Sequence, residues 1–338
     1  MSTRKPTMRD IAKAVGTSAV TVSRALAGKD GLSDRLRDRI VKKAEEMGYA
    51  YPGGEKNGRR EQLDIGILIP DRFFEAESYY YLLYRKLIGR LSEEGHFGLL
   101  EILSHQAEQD GTLPNLIRSR HVDGLILLGQ PGKAYYRMIA QCGTPTVFLD
   151  FYDEHGNADA VVGDNTYGTY RLTSHLIRLG HTRIGFVGNQ KATSSIMDRY
   201  LGYYRAMLVN SLPVRDEWIL MDRTDDGELI PLTLPEQLPT AFVCNCDMIA
   251  RKLIAALRER GLRVPEDISV TGFDDFEVGP AQAPGMSTFR VDTGGMIDLA
   301  VNAICERCTG SEKAFGRMVV SGQPIYRESD RPLIQNMD

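Results

Sequence analysis

Apolar positions follow two different rhythms along this chain. Through the first fifty residues they recur at the three- and four-residue spacing of amphipathic helices; beyond residue 64 they come as short continuous runs between helical stretches. In the first region Ile11, Ala12 and Val15 share one helical face, Thr7 stands where a cap belongs, and Asp10 follows three residues later as a capping-box acid does. Gly16 supplies the reversal. Ser18 caps a second helix that turns Val22, Ala25 and Leu26 inward and Ala19, Val20, Ser23 and Arg24 outward. Gly28 ends that helix, and Ser33 caps a third with Leu36, Ile40, Ala44 and Met47 at core spacing. A short helix that offers its first turn to solvent, braced by another, is the helix-turn-helix arrangement that reads a DNA major groove.

After Tyr49 the stretch AYPGGEKNGRREQLD is rich in glycine and charge and has no apolar period, so it reads as a linker. Strand–helix alternation then begins. Strands are predicted at Ile65–Ile69, Phe97–Leu103, Gly124–Leu128 and Thr146–Asp150, with helices near Tyr80–Glu94, Leu113–Ser119 and Ala134–Gln141. A second series after Asp164 has helices Tyr167–Leu179, Arg199–Asn210 and Asp247–Arg260, and strands Arg183–Val187, Ala241–Cys244 and Ser269–Phe273. A helix Gly295–Cys308 and a strand near Gly316–Val320 close the pattern. Such repeats predict parallel sheets covered on both faces, and two series predict two lobes with a cleft between them.

Charge sharpens the division. Residues 1–60 hold 14 Lys and Arg against 7 Asp and Glu, a balance of +7, whereas the remainder holds 27 against 38, a balance of −11. A basic head on an acidic body suits a polyanion at one end only. No apolar run approaches the roughly 18–20 residues of a membrane span, and the opening MSTRKP predicts no signal peptide, so a cytoplasmic protein is expected. The five cysteines read as reduced thiols. Cys244-x-Cys246 and Cys305-x-x-Cys308 are too far apart, and too poor in turn residues, for a four-thiolate metal centre; no metal and no cofactor are expected.

The run Thr7–Tyr49, with its VTVSRALAG and closing MGY, resembles the headpiece of the LacI/GalR repressors. That resemblance implies a double-stranded DNA operator as partner. Arg24 is the expected base reader, since a guanidinium binds a guanine edge with two hydrogen bonds, and Ala19 and Val20 offer methyls to thymine. Thr7, Ser18 and Ser33 are expected on phosphates, and Thr21 and Ser23 complete the DNA-facing set. The linker departs from the family, which has here a proline followed by an Ala-Arg-x-Leu stretch. That stretch becomes a hinge helix and wedges a leucine into the minor groove. Here Pro52 is followed by Gly53, Gly54 and Gly58, and the nearby leucine, Leu63, lies at the first strand. Weaker bending of DNA is expected, with Lys56, Arg59 and Arg60 on phosphates.

Ligands of open α/β sheets lie beyond the carboxyl ends of the strands. Read there, the chain offers Asp71, Arg72, Phe73 and Phe74, then Asp150, then Ser194, Ser195 and Arg199, then Asn245 and Asp247, and finally Asp274 and Asp275. Carboxylates, an arginine, an amide, hydroxyls and aromatic faces suit a polyhydroxylated ligand. Catalytic signatures are missing: there is no G-x-S-x-G, no G-x-x-x-x-G-K-[ST] and no H-E-x-x-H, and the six histidines are scattered. Asp150 and Asp274 as a glycosidase pair would need a neighbour that raises one pKa, and the sequence displays none. His181 reads as a turn-packing histidine, Asp164 and Asp275 as loop caps, and Trp218 as either a stacking or a packing residue.

The segments DNTYGTYRLTSHLIRLGHTRIGFVG, SSIMDRYLGYYRAM and VPEDISVTGFDDFE look like LacI/GalR effector-domain stretches, so the resemblance covers nearly the whole chain. It implies an N-terminal all-α helix-turn-helix headpiece (1–49), a linker (50–64) and a two-lobed, parallel-sheet α/β effector and dimerisation domain of the periplasmic-binding-protein type (65–338). Lobe one is expected over 65–163 and 291–321 and lobe two over 164–290. The family's ligand-clamping arginine falls on Arg199, its serine on Ser195, and its cleft aspartates on Asp274 and Asp150. Its asparagine falls on Asn245. Asn245-Cys246-Asp247 replaces the usual Asn-Asp, which leaves open the residue that fills the aspartate's place. With Phe73, Phe74 and Asp247 these form the expected effector set. The expected function is a homodimeric, non-enzymatic regulator, a repressor under control of a sugar. Its rivals are control by a nucleobase or a protein co-repressor, a periplasmic sugar-binding protein, and a sugar-processing enzyme.

Overall fold

The computed structural model describes residues 6–26, 32–47, 49, 62–75, 78–276 and 285–333. The chain divides into two compact units, residues 1–61 and 62–338. Among the described residues of the first unit three helices form: α1 (Met8–Val15), α2 (Ala19–Leu26) and α3 (Asp34–Glu46). Thr7 and Asp10 make the capping box, the Thr7 amide donating to the Asp10 carboxylate at 2.8 Å and the Asp10 amide to Thr7 Oγ1 at 3.4 Å. Gly16 stops α1 at φ +76°, in the left-handed region that favours a residue without Cβ. At the head of α2 the Thr21 amide donates to Ser18 Oγ at 3.0 Å. Ile11, Ala12, Val22, Ala25, Ile40 and Ala44 are buried together, with Val15, Leu26, Leu36 and Met47 packed around them. The predicted inward faces are the ones that meet. Gly28 lies outside the described residues, as do Lys56, Arg59 and Arg60.

The second unit is built on two parallel sheets. The first holds β1 (Asp64–Pro70), β2 (Phe97–Leu103), β3 (Gly124–Leu128), β4 (Thr146–Leu149), β5 (Asp159–Gly163) and β11 (Arg317–Val320), in the order β11-β5-β4-β3-β1-β2. The second holds β6 (Ile184–Val187), β7 (Ile219–Leu220), β8 (Ala241–Cys244) and β9 (Ser269–Thr271), in the order β7-β6-β8-β9. Strands β3 and β8 are apolar and buried throughout, and β1 and β4 are so beyond their first residues, Asp64 and Thr146, because helices cover both faces. Those helices are α4 (Tyr79–Glu93), α5 (His105–Gln109), α6 (Asn115–Arg118), α7 (Lys133–Gln141), α8 (Asn165–Arg178), α9 (Ser194–Val209), α10 (Asp247–Glu259) and α11 (Thr293–Cys308). A two-stranded antiparallel ladder of β10 (Thr288–Arg290) and β12 (Gln323–Ile325) completes the set.

Sequence periodicity missed β5, β7, β10 and β12. Strands of two or three residues carry no period, and β5 opens on a buried Asp159 that binds Arg307. The helix expected at Leu113–Ser119 begins only at Asn115, after Pro114. More consequential for the site, α9 starts at Ser194 rather than Arg199, because Thr193 Oγ1 accepts the Ile196 amide and caps the helix. Ser195 and Arg199 therefore lie one turn apart on one face. The chain passes between the two sheets three times: from β5 into α8, from β10 into α11, and from β11 into β12. The Asp164 amide donates to the Val320 carbonyl and the Asp274 amide to the Phe289 carbonyl, each at 2.9 Å, tying these passages side by side.

Candidate functional site

The carboxyl ends of both sheets open on one cavity of about 400 Å³, toward the small end of ligand pockets (roughly 300–1,000 Å³). The first sheet contributes Arg72 and Phe73 after β1, Tyr79 and Tyr80 from the start of α4, and Asp150 after β4. The second contributes Thr193, Ser195 and Arg199 around the head of α9, Arg223 after β7, Asn245 to Asp247 after β8, and Asp274 after β9.

Arg199, 5% exposed, is the hub. Its Nε donates to Asn165 Oδ1 at 2.8 Å, Nη1 donates to the Asn245 carbonyl, and Nη2 donates to Asp274 Oδ1 at 3.1 Å. The Phe273 ring lies 4.0 Å beneath the guanidinium. These contacts use three of five N–H groups and fix the plane of the fork. Asn245 Nδ2 donates to the Val187 carbonyl and to Asp222 Oδ2, each at 2.9 Å, so this amide is a strut of the wall. Ser195 Oγ is 3.0 Å from Thr193 Oγ1.

Asp150 and Asp274 sit at φ +69° and +104°, backbone conformations that cost L-residues free energy and cluster at functional sites. Tyr80 Oη donates to Asp150 Oδ2 at 2.9 Å. Burial raises the Asp150 pKa, with Arg199 and the Tyr80 hydrogen bond opposing. Burial likewise pushes Asp274 up to about 8, against the pull of Arg199. Asp247 rises to about 7 for the same reason, although its carboxylate also accepts the Phe276 amide at 2.8 Å. The Asp247 Oδ1 and Tyr79 Oη atoms are buried without a hydrogen-bond partner. Burial costs Arg199 some of its charge preference, but Asp274 and Asp150 restore it and its pKa is raised. The cleft therefore presents three buried carboxyl groups beside Arg199, with Arg72 and Arg223 also fixed in its lining by Glu108 and Asp222.

Of the residues singled out in the sequence, Phe73, Asp150, Ser195, Arg199, Asn245, Asp247 and Asp274 all line this cavity. Phe74 does not: its ring packs edge-on to Tyr81 and Tyr84, against the core of the first sheet. Asp71 also turns away, accepting the His105 amide. All three of Asn245, Cys246 and Asp247 reach the lining. Trp218 is buried, its indole N–H donating to the Gln237 carbonyl, which leaves packing as its role. His181 bridges Thr240 Oγ1 and the Arg331 carbonyl, and Asp164 caps α8. Asp275 takes Arg290 and Arg327 at 2.6 and 2.7 Å and lies outside the lining.

Arg223, Arg251 and Lys252 escaped sequence reading. Arg223 follows a two-residue strand, and the two others lie a full turn into α10, beyond the loop where ligands are sought. Burial also supplies the raised pKa that a carboxylate pair would need, which the sequence did not display. Among the described residues Glu94, His96 and Cys305 bring three metal-type donor atoms within 4.8 Å of one another. Two of the three are already committed: Glu94 pairs with Arg90 at 2.6 Å, and His96 Nδ1 accepts the Leu63 amide.

In the first unit Val20 is 69% exposed and Arg24 is exposed, while Ser23 and Thr21 are half-buried. Ala19 is half-buried against the core. The Thr7 hydroxyl donates to Asp10 at 2.6 Å, and the Ser18 hydroxyl lies 2.8 Å from Thr21 Oγ1, so both cap helices. The Ser33 carbonyl accepts the Leu36 and Arg37 amides at the head of α3.

Two family models match the chain: bacterial regulatory proteins of the lacI family over residues 7–51, and a periplasmic binding protein-like domain over residues 173–329. The ribose operon repressor of Haemophilus influenzae is 25% identical over 330 residues, covering 96% of this chain and 98% of its own. The transcriptional repressor CytR of Escherichia coli K12 is 27% identical over 336 residues, 97% of each chain. Among solved structures, the transcriptional regulator CelR in complex with cellobiose aligns with a TM-score of 0.66 at 24% identity, covering 96% of this chain and 99% of that one. A helix-turn-helix unit carrying a lacI match, followed by a cleft between two parallel sheets with a periplasmic-binding-protein match, identifies the chain as a member of the LacI family of DNA-binding repressors.

Proposed function

We propose that the protein is a cytoplasmic, homodimeric, non-enzymatic repressor whose DNA affinity is set by a sugar in the cleft. One observation carries the sugar reading: Asp150, Asp247 and Asp274 line one cavity with Arg199, a set of acceptors that calls for hydroxyl donors. Vicinal hydroxyls supply such donors, the guanidinium fork grips ring or hydroxyl oxygens, and an aromatic face takes the apolar side of a pyranose or furanose. The cellobiose bound to CelR and the ribose repressor's name are consistent with it. In the headpiece Arg24 reads a base edge, Ala19 and Val20 meet thymine methyls, and Thr7, Ser18, Thr21, Ser23 and Ser33 lie along the backbone. Two copies would address a two-fold related operator. Sugar binding shifts a DNA-competent equilibrium by its differential affinity for two lobe arrangements.

A nucleoside is the second reading, favoured by the rings around the same cavity. Phe73 and Tyr80 lie 4.7 Å apart, and Tyr79 and Phe276 lie 6.2 Å apart. A thermal-shift screen of sugars, nucleobases and nucleosides separates the two. A ligand at a hundred times its Kd adds about 2.7 kcal/mol. Shifts with sugars that vanish in Arg199→Ala support the first reading; shifts with nucleosides alone replace it. Unaltered sugar after prolonged incubation is expected, and hydrolysis or phosphorylation would refute the non-enzymatic part.

A further inference from the structure

The cavity's cations are unequally matched. Arg72 pairs with Glu108 at 2.6 Å, Arg199 with Asp274 at 3.1 Å, and Arg223 with Asp222 at 2.8 Å. Arg251 and Lys252 complete the basic lining, and among the described residues neither has an ion pair or hydrogen bond. Arg251 is half-buried, and its Nε is enclosed with no acceptor among the described residues, which leaves the terminal nitrogens of its fork as the donors it can offer the cavity. Glu75 also lines the cavity, and among the described residues it makes no ion pair with either cation. Position on α10 separates the two chemistries. Asp247 opens the helix, with its carboxylate held against the Phe276 amide, and Arg251 lies four residues further on the same face, a rise of about 6 Å. The cleft thus has a carboxylate-rich wall for hydroxyls and, one helical turn away, two cations that make no ion pair among the described residues.

Resting on the sugar reading above, we propose that the effector carries an anionic substituent, a carboxylate or a phosphate on a polyhydroxylated frame, held by Arg251 and Lys252. Sugar acids and sugar phosphates share this chemistry, and the assay separates them. Isothermal titration of the full chain uses D-glucose, D-galactose and D-ribose; D-glucuronate and D-galacturonate; glucose 6-phosphate and ribose 5-phosphate; and inorganic phosphate and uridine. The expected result is an acidic or phosphorylated sugar bound roughly tenfold or more tightly than its neutral parent, a gap of about 1.4 kcal/mol. Whether the uronates or the phosphates show that gap names the substituent.

Raising KCl should narrow the gap, and Arg251→Gln with Lys252→Gln should close it. Lys133→Gln, at an exposed lysine outside the cavity, should leave it in place. If the double variant does not fold, the KCl series on the native chain and Arg251→Lys, which keeps the charge, still decide. A neutral parent bound as tightly as its acid overturns this inference and leaves the sugar reading intact. Uridine bound alone, or no binding across the panel, overturns both.

Discussion

Arg199 sets the balance of the cleft, because its guanidinium is the fixed positive charge that Asp274 and Asp150 both feel. Arg199→Ala should abolish effector binding, a loss of a hundredfold or more by titration. Removing one partner of a buried pair costs about 3–5 kcal/mol, and here the low end is expected, because Asp274 can keep its proton near neutrality. The acids give a pH dependence with a definite sign. Asp247 at about 7 and Asp274 at about 8 hold protons in the native state that an unfolded carboxyl sheds near about 4. The native state therefore binds more protons between about pH 4 and 8, and stability falls as pH rises through that window. Denaturant titrations from about pH 5 to 9 should show that fall, and Asp274→Asn should flatten it. Neutral sugars that donate to the ionised carboxylates should bind more tightly as pH rises over the same range. Ser195, Arg199, Asn245, Asp247 and Asp274 were legible in the sequence because each follows the end of a recognisable strand. Phe74 misled because adjacent aromatics after a strand point in opposite directions, one to the cleft and one to the core.

At the level of elements, α8 and α9 meet with almost no clearance. A Cβ added at Gly202 would come within 2.2 Å of the Thr166 carbonyl oxygen, a backbone atom with little room to yield. Gly202→Ala should destabilise the second unit by about 1–3 kcal/mol despite its better helix propensity, read by chemical denaturation. Thr7→Ala removes the capping box of α1 and should cost the first unit about 1 kcal/mol, seen in amide exchange of its helices. Long periodic elements were legible in the sequence almost to the residue: Phe97–Leu103, Gly124–Leu128 and Ala241–Cys244 have the predicted bounds. The start of α9 was not, since Thr193 is one of several hydroxyls before that helix and tertiary burial selects the cap. β10 and β12 are defined by each other rather than by any local pattern.

For the whole molecule, the charge contrast between the two units predicts salt-sensitive DNA binding. A gel-shift series should give a log–log slope near −0.9 for each phosphate neutralised. Arg24→Ala should relax discrimination at one base pair by about 1–3 kcal/mol. The glycine-bearing linker predicts a smaller bend, by gel phasing, than a leucine-wedging hinge helix produces. The two-lobed plan was legible from strand–helix alternation, and the return of the chain to the first lobe at 291–321 from the family resemblance; the third passage, from β11 into β12, was not, because it brings together segments far apart in sequence. A Cβ on Gly322 would strike the Arg290 carbonyl at 2.3 Å, so these passages are packed hard against one another. The half built on the six-stranded sheet is consequently discontinuous in sequence, interrupted by the half built on β6–β9. Neither half can be exchanged with a relative by a single recombination joint, and a chimera with new ligand preference must replace the cleft region in two pieces or inherit it entire.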